Sequence, residues 1–177
     1  MSWRLWLPFL VFFAFLGLAA YQLTQPRDDF VKSAMIGEEL PYFDLPPAVG
    51  DRPGAANTNF QEGSPKLLNI WASWCLPCIA EAPQLEQLEK QGAEIIGVAI
   101  RDKPEDVARF LSQHGNPYSR IGRDDLSEVQ LGIGSSGVPE TFVVDKEGVI
   151  RYKHIGPIDE DAWRITLLPL IEELRRR

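Results

Sequence analysis

Residues 66–78 read Lys-Leu-Leu-Asn-Ile-Trp-Ala-Ser-Trp-Cys-Leu-Pro-Cys, an apolar run that ends on two cysteines three positions apart. Lys66–Ala72 has the length and composition of a buried strand. From Cys78 to Gln91, Ile79, Ala82, Leu85 and Leu88 recur on one helical face, and Gly92 follows as a stop signal. The pair therefore sits where a buried strand hands over to a helix, with Cys75 at the helix start and Cys78 one turn in.

This placement predicts chemistry. A thiol at a helix N-terminus faces unpaired backbone N–H groups and the positive end of the helix dipole, which favour the thiolate. The thiolate is the nucleophile, so Cys75 is expected to attack a disulfide. Cys78 is close enough to resolve the mixed disulfide that results, and Pro77 shapes the tight turn between them. Three other readings of the pair stay open at this point. A zinc site needs two more ligands, and the only histidines, His114 and His154, lie forty residues apart. A structural disulfide closing so small a loop contributes little stability. Two buried inert thiols are the third. Nothing in the sequence indicates a metal or a bound cofactor, so the dithiol itself is the redox group expected.

Elements alternate outward from this segment. Glu94–Ile100 reads as a second buried strand, and Pro104–His114 as a helix with Val107, Phe110 and Leu111 on one face. Tyr118–Ile121 reads as a short strand and Asp125–Leu131 as a short helix. Glu140–Asp145 and Val149–His154 read as strands joined by the turn Asp145-Lys146-Glu147-Gly148, and Asp159–Arg176 as a closing amphipathic helix. That order predicts an α/β sandwich around a mixed sheet. Before it, 40–45 suggests a short edge strand and Pro46–Pro65, rich in Gly, Pro and Asn, a loop.

Leu5–Leu23 contains no charge and would make a helix about 28 Å long, close to a bilayer's hydrocarbon thickness. Trp3, Trp6 and Tyr21 are placed as interfacial anchors. The alternative is a signal peptide cleaved near Gly17-Leu18-Ala19, but the run exceeds the usual core length of such peptides. The expected organisation is an anchor over 1–23, a polar tether over 24–38 and one domain over 39–177. Arg4 before the span and Arg27 and Lys32 after it leave the orientation undecided by charge.

With 177 residues, 45% hydrophobic and 24% charged, the chain can build a core. Its net charge is −7, and Arg4 is the only charge before residue 27, so the remainder carries −8. That acidity argues against nucleic acid as a partner. Arg175-Arg176-Arg177 reads as basic residues favourably placed at a helix C-terminus.

The segment Asn69–Cys78 followed by Pro83, together with Gly137-Val138-Pro139-Glu140-Thr141-Phe142, resembles the two signatures of the thioredoxin superfamily. More closely, the chain resembles the membrane-anchored thiol:disulfide interchange proteins of cytochrome c maturation, the DsbE or CcmG type. The resemblance runs from the anchor through the Gly115-Asn116-Pro117-Tyr118 turn to the last helix. It implies a thioredoxin-like three-layer sandwich behind one transmembrane helix. It implies that Cys75 and Cys78 are catalytic, and that Glu81 tunes them and relays protons. Read alone, Glu81 is an exposed helix residue. Plain thioredoxins carry a buried Asp where this chain has Asn69. Pro139 is implied to be the cis-proline facing the cysteines, with Val138 and Trp74 beside bound substrate and Glu140 in partner recognition or site tuning.

The same resemblance implies a reductant in the bacterial periplasm, attached to the inner membrane. Its client would be the CxxCH disulfide of apocytochrome c, directly or through a CcmH-type thiol protein. A transmembrane reductase of DsbD or CcdA type would supply electrons. Alternatives are an anchored reductase with other periplasmic clients and a non-catalytic module that binds apocytochrome. A DsbA-like oxidant would need a large helical insertion between the second strand and Pro139, and 101–138 is too short for it. A peroxiredoxin would need a Pro-xxx-Thr-xx-Cys context, which is absent.

Overall fold

The computed structural model describes residues 6–24 and 35–177, with the backbone alone at 19–20 and 22–24. Two compact units result, Met1–Lys32 and Ser33–Arg177. Trp3, Arg4 and most of the expected tether lie outside the described residues.

In the first unit α1, Leu7–Thr24, is an 18-residue helix. Its described large apolar side chains, among them Phe9, Phe12, Phe13 and Phe15, are exposed. At 1.5 Å per residue it measures about 27 Å. Among the described residues no helix is long and apolar enough to cross a membrane.

The second unit is built on a five-stranded mixed sheet in the order β5-β4-β3-β6-β7. The strands are β3 (Lys66–Trp71), β4 (Ile95–Ile100), β5 (Arg120–Asp124), β6 (Glu140–Val144) and β7 (Ile150–Ile155). β3 lies at the centre, parallel to β4 and antiparallel to β6. All residues of β3 and β4 are buried, and apart from Lys66 and Asn69 in β3 both strands are apolar throughout. α2 (Leu76–Lys90) and α3 (Pro104–His114) make the two crossovers, and α4 (Glu128–Gly132) follows β5. The β6–β7 hairpin turns at Asp145–Gly148, where Asp145 Oδ1 accepts the amides of Glu147 and Val149 and Gly148 takes φ +83°. The result is a thioredoxin-like α/β fold, as the order of elements predicts.

Three local differences from the sequence reading have physical causes. α2 starts at Leu76, two residues early, because Cys75 caps it with its own sulfur. The buried stripe is Cys78, Glu81, Ala82, Leu85 and Leu88, and Ile79 is only partly buried. Second, the short strand expected over 40–45 is found as β1 (Asp44–Leu45), but 46–65, read as a loop, also carries structure too short to leave a periodic pattern: β2 (Ala55–Ala56), which pairs with β1, and a 3-10 turn over Asn57–Phe60. This strap covers β5, with Ala48 N–H donating to Ile121 O and Arg123 N–H to Pro46 O, so the sheet edge is not left open. Third, the closing helix is split. A π-helical stretch, Ala162–Leu167, precedes α5 (Leu168–Arg176), because Pro169 has no N–H to offer the turn before it. Trp163 donates to Gln91 and Arg175 to Gly92 O, locking this closing segment to the end of α2.

Candidate active site

Cys75 and Cys78 are joined by a disulfide, with their Cα atoms 5.3 Å apart. Both residues are almost fully buried, at 4% and 3% exposure. Cys75 is the N-cap of α2: its backbone is extended, and its sulfur accepts the Cys78 N–H at 3.2 Å. The sulfur thus occupies the position of a capping oxygen, where a negative charge is stabilised by the first turn. Trp74 and Leu76 flank the pair and are exposed, at 55% and 76%.

The register of the sheet brings the second signature to the same end. Ile70 and Asn69, at the end of β3 that leads to the cysteines, pair with Glu140 and Thr141 at the start of β6. Val138 and Pro139 immediately precede that pair, and the bond between them is cis. Trp74, the cysteines, Val138 and Pro139 therefore gather at one end of the sheet.

Glu81 is not the exposed residue that its helix position alone suggests; it is 1% exposed. It lies one turn beyond Cys78 on the same face of α2. Oε1 accepts the Ile158 N–H at 3.1 Å, and Oε2 is buried without a hydrogen bond of ordinary geometry. Burial raises its pKa to about 7, opposed by the Ile158 amide and by the Asn69 side chain. Asn69 itself is fully buried, donating from Nδ2 to Thr141 Oγ1 and accepting the Tyr118 hydroxyl on Oδ1, both at 2.9 Å. Burial, and secondarily the charge on Glu81, push the Tyr118 hydroxyl well above its usual range. The Tyr118 ring stacks on Trp71 at 5.2 Å, and both press on Gly97, where a Cβ would lie within 3 Å of each. Gly97 is glycine because the two aromatics take its side-chain space.

Glu140 is also buried, at 1%. Its Oε1 accepts the Ser136 hydroxyl at 2.7 Å and its Oε2 lies 3.0 Å from Lys153 Nζ. The carboxylate faces inward, onto the loop that carries Val138 and Pro139.

Sequence reasoning missed Lys153, Tyr118 and the pair Ser73–Asp102. Lys153 left no signal in the turn itself: a β-bulge between Val143 and Val144 shifts the hairpin register, so that Phe142 lies opposite Lys153 and Lys153 falls diagonal to Glu140 on one face. Asp102, just after β4, left no signal either. Its carboxylate accepts Ser73 N–H at 2.5 Å, Ser73 Oγ–H at 2.7 Å and Lys103 N–H at 2.9 Å, tying the cysteine loop to the β4–α3 loop.

A CxxC disulfide at the start of a helix, on a thioredoxin-like sheet, defines a thiol–disulfide oxidoreductase whose redox group is its own cysteine pair. The Redoxin family profile matches residues 35–165. The chain is 38% identical over 167 residues to the thiol:disulfide interchange protein HelX of Rhodobacter capsulatus, covering 94% of each chain. It is 34% identical over 173 residues to the thiol:disulfide interchange protein DsbE of Escherichia coli, covering 94% of this chain and 92% of that one. Among solved structures it is similar to a DsbE-type thiol:disulfide interchange protein from Chlorobium tepidum (TM-score 0.65, 26% identity, 76% of this chain and 95% of that one). The chain belongs to the Redoxin family, among the thiol:disulfide interchange proteins of DsbE type.

Proposed function

We propose that this oxidoreductase is a membrane-anchored, periplasm-facing reductant of cytochrome c maturation. It keeps the CxxCH cysteines of apocytochrome c reduced for haem attachment, directly or through a CcmH-type thiol protein, and a DsbD- or CcdA-type transmembrane reductase restores it. The observation that carries this reading is the presence in one chain of a helix-capping CxxC disulfide and an 18-residue apolar helix with its large side chains exposed. Residues 1–23 form the anchor, 24–38 the tether and 39–177 the catalytic domain. Tethering raises the effective concentration of the dithiol beside its membrane-bound electron donor.

In the reducing direction the Cys75 thiolate attacks the client disulfide, forms a mixed disulfide and expels one client thiolate. The Cys78 thiol then passes its proton to Glu81 and attacks Cys75 Sγ. The second client thiol leaves, and the Cys75–Cys78 disulfide remains. Two electrons have moved from the enzyme dithiol to the client. Trp74, Val138 and Pro139 bind the client segment, and Glu140 positions the loop that does so.

The test is the equilibrium potential of the Cys75–Cys78 couple against glutathione or dithiothreitol, with reduction of an oxidised CxxCH peptide followed in parallel. Stoichiometric reduction of the peptide is expected. A potential of about −120 mV, that of the oxidant DsbA, would overturn the direction of electron flow.

A further inference from the structure

Beside the cysteine pair, on the α3 side, lies a groove of about 410 Å³ lined by Trp74, Arg101, Lys103, Asp106, Arg109 and Phe110 among others. Hydrogen bonds sort its charges. The Asp102 carboxylate, also part of the lining, is buried and turned onto neutral donors, two from Ser73 and the Lys103 amide, so it keeps its charge, and the lining's three cations and two carboxylates leave the groove at +1. Asp106 is paired with Arg109 at 2.7 Å. Glu105, the next acid along α3, does not line the groove. Arg101 and Lys103 remain, both exposed, with no ion-pair partner among the described residues.

Arg101 is held in an unusual way. Its φ is +44°, a left-handed conformation that glycine adopts without strain and an arginine does not. Its carbonyl accepts the Trp74 indole N–H at 3.3 Å, and its amide donates to Asp124 O at 3.1 Å. The chain thus keeps a cation on a strained, doubly anchored backbone position next to the exchange site. The rest of the molecule is acidic: setting aside Arg4, residues 27–177 carry −8. An acidic partner is repelled from most of this surface and admitted where the free charge is positive, which is how charge complementarity fixes orientation.

We propose that this groove is a docking subsite for an acidic segment of the protein whose disulfide exchanges with Cys75. Carboxylates within a few residues of the partner's cysteines meet Arg101 and Lys103 while its backbone crosses Trp74. The inference needs only the thiol–disulfide exchange activity and holds whichever client is served.

The experiment uses the full chain, reduced, in detergent micelles, and two cystine-bridged peptides that differ only in flanking Asp and Glu against Asn and Gln. At low salt the acidic peptide should oxidise the protein about fivefold faster, as expected for two solvent-accessible ion pairs. The ratio should fall to one in 0.5 M salt, where the Debye length is only about 4 Å. It should also fall to one in the double variant Arg101→Gln, Lys103→Gln. Arg101→Gly separates charge from loop distortion, because glycine accepts φ +44° freely, and it should lower the ratio by itself. A ratio of one in the unaltered protein, or a preference that survives the double variant, overturns the proposal.

Discussion

Lys153 Nζ lies 3.0 Å from Glu140 Oε2 with both side chains buried, at 4% and 1% exposure. Lys153 also donates to Gly134 O at 2.9 Å, while Glu140 accepts from the Ser136 amide and hydroxyl. One buried ion pair thus staples the 134–140 loop, with Val138 and Pro139 on it, to β7.

Removing one partner of such a pair leaves an uncompensated buried charge. Lys153→Met should therefore destabilise the fold by about 3–5 kcal/mol. The double variant Lys153→Met, Glu140→Gln should lose less than the two single losses added together. Urea denaturation of the four proteins closes the cycle, and strict additivity would mean that the two groups do not act as a pair.

Glu81 makes stability depend on pH in a defined direction. Its pKa in the folded chain is about 7, against 4.5 ordinarily. Below about pH 4.5 it is protonated folded and unfolded. As pH rises through the window from 4.5 to 7, the unfolded chain releases the proton first, so stability falls, by up to about 3 kcal/mol above pH 7. Glu81→Gln should match the unaltered protein at pH 4.5 and exceed it in stability at pH 8. It should also slow resolution of the mixed disulfide about 10²-fold and abolish the rise in that rate through pH 7. A rate inflection that persists in the variant would assign the proton acceptor elsewhere.

Tyr118 sets which end of the Asn69 amide faces Glu81. Its hydroxyl donates to Oδ1, so Nδ2 is left for Thr141 and for the carboxylate side. In Tyr118→Phe the amide is free to turn its oxygen toward Glu81, which favours the protonated acid. The midpoint of the Glu81-dependent rate inflection should move above 7. No movement would show that Thr141 alone fixes the amide.

The anchor proposed over residues 1–23 makes a separate prediction. Deleting residues 1–23 should move the protein from the carbonate-resistant membrane fraction to the soluble one, with the cysteine pair still exchanging disulfides. α1 measures about 27 Å against a hydrocarbon core of about 30 Å, so the proposed anchor would draw on the residues before Leu7 as well. A chain lacking only residues 1–6 should be retained less firmly than the full chain.

How legible the molecule is in its sequence depends on how local each signal is. The buried runs of β3 and β4 and the Asp145–Gly148 turn are contiguous, and each is found where its pattern predicts. The cysteine pair is legible for the same reason, since strand, cap and spacing lie within thirteen residues. The strap beyond its first strand, from β2 (Ala55–Ala56) to the turn at Phe60, was not, because a two-residue ladder has no period to detect. Glu81 illustrates the limit: its helix position alone suggested exposure. Its burial follows from what packs over that part of α2, including Ile158, whose amide it accepts from seventy-seven residues away. Asp102 and Tyr118 matter through partners on other elements, and no spacing in the chain announces such contacts.

The division of labour proposed for the cysteines rests on backbone position, since their exposures, 4% and 3%, do not distinguish them. Cys75 Sγ stands at the N-cap and accepts the Cys78 amide, whereas Cys78 lies inside the first turn with its own amide already spent on that bond. A negative sulfur is therefore stabilised at 75 and has no equivalent donor at 78. Cys78→Ala should attack an oxidised peptide and stop, accumulating a mixed disulfide at Cys75 in one-to-one stoichiometry. Cys75→Ala should accumulate at most about a tenth as much over the same interval. Intact-mass measurement of the acid-quenched reactions under non-reducing conditions reads both outcomes, and equal trapping by the two variants would remove the cap from the mechanism.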